Sequence, residues 1–301
     1  MERWRVLVTA ASGLIGSSLV ARLEQEGHQV VRLVRREAIS ADEVSWQPAR
    51  GVLDQGSLEG FDAVVHLSGA GIGDKRWNKG RKRILFDSRI ESTTLLTTAL
   101  AGLARPPAVL LSASAIGFYG SRGDEVLTEE SEPGDDFLAG LCVEWEAATT
   151  PAAAAGIRVV NIRTGLVLDA GGGFLGPMLP LFRAGVGGRL GSGRQWWSWI
   201  ARADEAEAII HLLGSDLAGP VNLTAPNPVT NAGLAQTLGT VLSRPALVPV
   251  PKFALEIRLG REMAAATALA SQRVDSSRLQ DDGFEFAQSD LEPALQAELA
   301  R

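Results

Sequence analysis

Cysteine is almost missing: Cys142 stands alone in 301 residues. That excludes an internal disulfide and suits a reducing compartment, so a cytoplasmic protein is expected. Histidine is scarce as well. His28, His66 and His211 lie far apart in the chain, and no metal site is expected from them. Tyrosine occurs once, as Tyr119, and lysine four times, as Lys75, Lys79, Lys82 and Lys252. Chemistry that needs a tyrosine and a lysine on one helix therefore has almost nothing to draw on. No apolar run approaches the ~20 residues that cross a bilayer, and Glu2 and Arg3 lead into the first apolar run without a leader pattern. Positive charge is not in excess either. The formal net charge is −6, and only residues 75–83 are locally basic. Neither nucleic acid nor a membrane is expected as a partner. The basic stretch reads as a solvated helix face or as a surface facing a phosphate. Monomer and homodimer both stay open.

What is there begins with residues 6–20. They read as a buried strand, a turn of small residues and the first turns of a helix. Within them runs Thr9-Ala10-Ala11-Ser12-Gly13-Leu14-Ile15-Gly16. Small residues let the backbone approach a pyrophosphate, and the helix N-terminus offers it unpaired N–H groups and a partial positive charge. Two of the usual three glycines are present, with Ala10 in place of the first. The flanking strand and helix turn a weak glycine pattern into a dinucleotide site, with contacts expected from Thr9, Ala11, Ser12, Gly13, Leu14, Ile15 and Gly16. The second strand ends in Arg35-Arg36-Glu37, where an NAD site usually carries an acidic residue. A guanidinium there suits a 2′-phosphate, so NADP(H) is the expected cofactor, with Glu37 placed to neutralise one arginine. The third strand ends in His66-Leu67-Ser68-Gly69. Leu67, Ser68 and Gly69 are expected beside the adenine-side ribose and the phosphates. Arg89 either reaches the cofactor or pairs with Asp87 or around Glu91.

Short apolar runs at 5–8, 29–34, 62–67, 108–113 and 158–162 alternate with helical patterns at 14–26, 84–103 and 138–155. With 46% hydrophobic residues, this predicts an α/β fold, a Rossmann-type doubly wound parallel sheet. The rhythm changes after about residue 165. Glycines crowd 171–193, then comes Trp196-Trp197-Ser198-Trp199. Asp204 reads as the cap of a helix over 205–213, and 220–223 reads as a further strand. The expected organisation is an NADP-binding domain over 1–168, with additions from about 199–224, and a smaller substrate-side lobe over 169–198 and 225–301.

Several motifs resemble the epimerase-like branch of the extended short-chain dehydrogenase/reductases. They are Thr9 to Gly16, His66 to Gly69, Ser112-Ala113-Ser114 followed by Tyr119-Gly120, and Thr128-Glu129-Glu130 with Pro133. Asp74-Lys75-Arg76-Trp77, Leu141-Cys142-Val143-Glu144-Trp145-Glu146, Arg163-Thr164-Gly165, Gly187-Gly188 with Gly191-Ser192-Gly193, and Trp199-Ile200 are similar to the subgroup of epimerase family proteins. Residues 249–295 resemble the small domain of unknown function that ends that subgroup. The resemblance spans the whole chain. It implies cofactor contacts at Gly165 and Leu166, and a tyrosine and lysine four residues apart on one helix. The lysine lowers the tyrosine pKa, and a serine or threonine orients the phenol.

The chain departs from that pattern. Phe137 and Leu141 stand where the pair belongs. Ser114 matches the orienting hydroxyl and Tyr119 is the remaining phenol, so these two are the candidate catalytic residues. Cys142 reads as a pocket acid or nucleophile, or as a small buried residue. Glu129 and Glu130 read as general acids or solvated carboxylates. The tryptophans read as an aromatic slot or as packing, and Arg163 as a bond at its strand's end. The expected function is an oxidoreductase on a small or sugar-like carbonyl with a non-standard proton donor. The alternatives are an NADPH-binding sensor or scaffold without turnover, and an epimerase-like isomerase.

Overall fold

The structure, a computed structural model, describes residues 3–300. In chain order the first part comprises β1 (Arg5–Thr9), α1 (Leu14–Gln25), β2 (Gln29–Val34), β3 (Glu43–Gln47), β4 (Val52–Leu53), β5 (Ala63–His66), α2 (Lys79–Ala101), β6 (Val109–Ala115), β7 (Val126–Leu127), α3 (Phe137–Ala147), α4 (Thr150–Ala154) and β8 (Arg158–Thr164). There follow β9 (Leu166–Leu168), α5 (Leu179–Arg183), β10 (Trp196–Trp197), β11 (Trp199–Ala201), α6 (Arg202–Gly214), β12 (Gly219–Leu223), β13 (Val229–Thr230), α7 (Asn231–Val241), α8 (Lys252–Leu259), α9 (Arg261–Ala266), β14 (Arg273–Val274), α10 (Ser277–Asp281) and α11 (Leu291–Leu299). No helix among the described residues is long and apolar enough to cross a membrane.

Eight strands form the main sheet in the order β12-β8-β6-β5-β1-β2-β3-β4. All pairings are parallel except β3 with β4. Apolar β-branched runs suit strands covered on both faces, and residues such as Val6, Val8, Ala63, Val65 and Leu111 are fully buried. Leu19, Leu23, Ile209 and Leu212 of α1 and α6 cover one face. Leu96 and Leu100 of α2, with Ala152 of α4, cover the other. The strand order reverses between β1 and β5, which opens the ligand crevice at their carboxyl ends.

The structure departs from the sequence reading at identifiable points. β3 was not expected: only Trp46 of its five residues is buried, so the run looks polar. The pattern over 138–155 is two helices, because α3 ends at Ala147 and Pro151 starts a new turn. Asp204 caps no helix start. α6 begins earlier, at Arg202, and the Asp204 carboxylate accepts Ala287 N (3.1 Å) and Gln288 N (2.9 Å). Leu279 and Phe284, from the segment beyond residue 225, join the core of the main sheet. Trp197 and Trp199 are buried with Leu175, Leu234 and Leu295 in a second core.

The two rims of the sheet differ. One is the two-residue β4. At the other, Glu129 Oε1 accepts Asn222 N (2.8 Å), and Arg278 donates to Pro220 O and Ala218 O (both 2.9 Å).

Two buried groups tie the core to pH. Burial pulls His66 from 6.5 down to about 3, so its ring is neutral. Thr9 Oγ1 accepts Leu67 N (2.9 Å) and Ser68 Oγ (3.0 Å), which leaves its own hydrogen for His66 Nδ1 (3.1 Å). His66 Nε2 meets Thr93 Oγ1 at 3.0 Å. Burial pushes Glu205 from 4.5 up to about 8. Thr164 Oγ1 donates to its Oε1 (2.7 Å), and its Oε2 has no hydrogen-bond partner. Below 6.5 the unfolded chain takes a proton on His66 that the folded chain refuses, so that contribution is lost as pH falls. Between 4.5 and about 8 the folded chain keeps a proton on Glu205 that the unfolded chain has released, so stability falls as pH rises. From 6.5 to about 8 only the Glu205 effect of these two operates. Urea unfolding across that window is expected to show a decline that Glu205→Gln removes; an unchanged decline contradicts the assignment.

Candidate dinucleotide site

The chain between β1 and α1 is built to be approached. Ala10 takes a left-handed φ of 49°, strained by roughly 1–2 kcal/mol for a residue with a Cβ, and its carbonyl accepts Gly13 N at 2.8 Å. That carbonyl fixes the residues around it. A Cβ at Gly16 would stand 2.3 Å from Ala10 O and 2.9 Å from Ala11 Cα, so only glycine fits. α1 starts at Leu14 after Gly13 with no side chain capping it. Its first N–H groups therefore face outward, beside the exposed Ser12 and Gly13. An uncapped helix end over a loop of small residues fits a pyrophosphate. Thr9 does not face this crevice. It is fully buried, and its hydroxyl ties the end of β1 to Leu67, Ser68 and His66.

At the end of β2 the two arginines differ. Arg36 donates through both Nη atoms to the Glu43 carboxylate on β3, with Nη1 at 2.7 Å from Oε2, and to Glu37 O at 2.9 Å. The Arg36 hydrogen bond, followed by Ile39 N, holds the Glu43 carboxyl down at about 2. Glu37 thus contributes a carbonyl, and the neutralising carboxylate is that of Glu43. Arg35 is exposed and makes no ion pair among the described residues.

On the opposite flank, β8 ends at Thr164. Gly165 lets the chain leave the main sheet, since a Cβ there would lie 2.8 Å from Ser198 O and from Thr224 Cγ2. Gly165 N donates to Leu223 O (3.0 Å) and Leu166 N to Ser198 O (2.9 Å). Phe137 and Leu141 do not border an acid–base site. Leu141 is 3% exposed in a cluster with Leu85, Leu138 and Ala266, against which Phe137 and Trp77 pack.

The two candidate proton donors are bound into the protein. Tyr119 is fully buried; its hydroxyl donates to Asn222 Oδ1 (2.6 Å) and accepts from Arg163 Nη1 (3.1 Å). Burial drives its pKa up to about 12. This corrects the expectation of a phenol at the pocket: Tyr119 is a buried strut. Ser114 is 4% exposed and donates to Glu146 Oε1 (2.6 Å). Arg163 grips the same Glu146 with Nε (2.8 Å) and Nη2 (2.9 Å), stacks 3.5 Å over the Phe118 ring, and donates to Glu129 O (3.2 Å). Burial, then the Glu146 charge, pushes the Cys142 thiol up to about 12, so it stays protonated. Glu129 is tied to β12, and Glu130 is exposed. Glu146 and Asn222 organise this network; Glu146 stood in a subgroup motif without a role, and nothing in the local sequence marked Asn222.

Arg89 forms none of the ion pairs open to it. Arg83 takes both Asp87 and Glu91. The Arg89 guanidinium instead lies against Gly69 and 4.8 Å over the Trp145 ring. Burial lowers its pKa to about 10, and the neighbouring Arg81 charge adds to that fall.

Two substitutions check this geometry. Gly16→Ala is expected to abolish dinucleotide binding in a fluorescence titration and to cost about 1–3 kcal/mol by overpacking. Tyr119→Phe leaves Asn222 Oδ1 unpaired and is expected to cost about 1–3 kcal/mol in urea unfolding, with dinucleotide affinity unchanged. Lost affinity in Tyr119→Phe contradicts its role as a strut.

The chain is similar to several known proteins. Residues 6–223 match the NAD dependent epimerase/dehydratase family, and residues 250–298 match a domain of unknown function, DUF1731. An epimerase family protein of Mycobacterium bovis is 44% identical over 291 residues, 96% of each chain. The crystal structure of human epimerase family protein SDR39U1 with NADPH is 33% identical, with a TM-score of 0.91 over 98% of this chain and 99% of that one. A structure from Corynebacterium glutamicum, described as a nucleoside-diphosphate sugar epimerase, is 38% identical with a TM-score of 0.80. It covers 99% of this chain, which spans 58% of that longer one. The chain belongs to the NAD-dependent epimerase/dehydratase family, as an atypical extended short-chain dehydrogenase/reductase.

Proposed function

We propose that this protein is an NADP(H)-dependent oxidoreductase acting on a small or sugar-like carbonyl without a side-chain phenol as proton donor. The observation that carries the reading is the complete cradle with Arg35 free at the end of β2. The α1 N-terminus and residues 11–16 hold the pyrophosphate, Arg35 takes the 2′-phosphate, and Leu67, Ser68 and Gly69 border the adenine-side ribose. Gly165 and Leu166 lie where the nicotinamide end belongs, at the carboxyl end of β8. Bound there, the cofactor supplies hydride, and the protein orients it. The relative crystallised with NADPH supports the choice of cofactor. Epimerisation needs a reversible acid–base pair, and the apolar cluster around Leu141 speaks against one.

That cluster, with Tyr119 and Ser114 locked into hydrogen bonds, favours a second reading: an NADPH-binding sensor that does not turn over. A screen of carbonyl compounds that follows NADPH oxidation separates the two. Turnover supports the oxidoreductase, and none across a broad panel leaves the sensor.

The cofactor is tested by direct titration. NADPH is expected to bind at least about tenfold more tightly than NADH, a gap of ~1.4 kcal/mol. Arg35→Ala should erase that preference and leave NADH affinity as it was. Equal affinities in the unaltered protein contradict the assignment of Arg35.

A further inference from the structure

We propose that the face built from residues 181–194, 243–248 and α7 docks a partner protein through a segment of that partner rich in carboxylates and apolar side chains. Charge is the first observation. Residues 170–203 and 217–255 contain no Asp or Glu, in a chain that has 35. They hold Arg183, Arg189, Arg194, Arg202, Arg244 and Lys252. All 35 acidic residues lie in the rest of the chain, with 23 of the 29 Lys and Arg. The net charge of −6 thus conceals a cationic region. Arg202 is paired there, with Asp169 at 3.1 Å. Arg183, Arg189, Arg194 and Arg244 are exposed and make no ion pair among the described residues.

Shape is the second. The two segments are tied together: Val248 N donates to Gly187 O (3.2 Å), Val250 N to Arg189 O (2.9 Å), and Arg244 Nε to Arg183 O (3.0 Å). Ser243, with a left-handed φ of 53°, turns the chain back after α7. Gly239 lets it pass close, since a Cβ there would lie 2.8 Å from Ala246 Cβ. Arg189, α7 and the returning chain enclose an open groove of about 640 Å³, with Ala232 and Ala235 among its walls. Among the described residues, the charged groups lining it are Arg189 and Arg244 alone. Their hydrogen bonds go to backbone carbonyls: Arg189 Nη1 to Ser192 O (2.8 Å), and Arg244 to Arg183 O and Ser243 O. Leu247, which lines the groove, is 84% exposed. Val248, Leu181 and Val186, on the same two segments, are half-exposed.

Composition and shape together select the occupant. Exposed apolar side chains beside arginines, with carboxylates missing, are the make-up of a protein interface rather than of ordinary surface. A lipid surface is flat on this scale and leaves a concave groove unfilled. Single-stranded nucleic acid binds through aromatic faces, and none lines the groove. A symmetric pair of this chain would set Arg183, Arg189 and Arg244 against the same three residues of the second copy, like charge on like. A partner segment with carboxylates for Arg189 and Arg244 and apolar side chains for Leu247 and Val248 meets every demand, and a helix laid in the groove is its simplest form. None of the residues assigned to the dinucleotide lines the groove, so the partner and the cofactor do not compete for side chains.

The test selects peptides from a random phage-displayed library against the whole protein and titrates the winners by fluorescence anisotropy. A length of about 16 residues gives roughly 24 Å of helix. Selected sequences are expected to combine Asp and Glu with leucine or aromatic residues, and to bind more weakly as salt rises. The double variant Arg189→Glu, Arg244→Glu should weaken them at least about tenfold, and Leu247→Ser at least about threefold. All three side chains are exposed, and an unchanged urea-unfolding midpoint shows that the variants keep the fold. A library that yields no binder, winners without acidic residues, or winners that bind the double variant equally well overturns the proposal. Phosphatidylglycerol vesicles and a heparin oligosaccharide are titrated alongside. If either binds at these arginines more tightly than the peptides, the face serves a lipid surface or a polyanion, and the proposal fails.

Discussion

The carboxyl end of the sheet hangs on the buried pair of Arg163 and Glu146. Taking two charges out of water is costly, and such a pair holds only when geometry is good and the remaining polar atoms are used. Here the guanidinium fork meets both carboxylate oxygens, and the leftover donors go to Tyr119 and to Glu129 O. Glu146 takes Ser114 as well. Through Tyr119 the chain of bonds continues to Asn222 and on to Asp275 O. One ion pair therefore fastens α3 to β8 and, beyond it, β12 and the C-terminal segment. Removing one partner of a pair like this typically costs about 3–5 kcal/mol.

That fastening holds α3 in place by Glu146 rather than through a Tyr–Lys pair. In the wider superfamily α3 presents a phenol and an ammonium to the crevice. Here the same helix is held in place by Glu146 and presents Phe137 and Leu141 to an apolar cluster. A lysine at 141 would sit among Leu85, Leu138 and Ala266 with its charge unmatched. The hydroxyls of Ser114 and Tyr119 are engaged with Glu146, and with Asn222 and Arg163. The dinucleotide side faces no such replacement. Its demands are steric, one close approach at Gly16 and one open helix end, and both are met.

The legible parts of the sequence are those with local causes. Parallel strands covered on both faces read as apolar runs, and the turn before α1 reads as small residues because backbone must approach there. β3 did not read as strand because its outer position leaves Trp46 as its one buried residue. The partner of Arg36 looked like its neighbour Glu37, yet strand pairing brings Glu43 instead. The polar network was illegible for a related reason. Ser114 and Glu146 are 32 residues apart, and Tyr119 and Asn222 are 103 apart, so only the folded sheet brings them together. Cys142 looked ambiguous because sequence does not report burial, and burial is what keeps its thiol protonated.

The rims of the sheet carry a last consequence. An unpaired strand edge is a template on which another chain can add. Here one rim ends in the two-residue antiparallel β4, paired with Trp46 and Gln47 of β3. Along the other, Glu129 and Arg278 occupy the N–H and C=O groups that a newcomer would need. Asn222 N, Pro220 O and Ala218 O are thus withheld from an added strand, which blunts the β12 rim as a template.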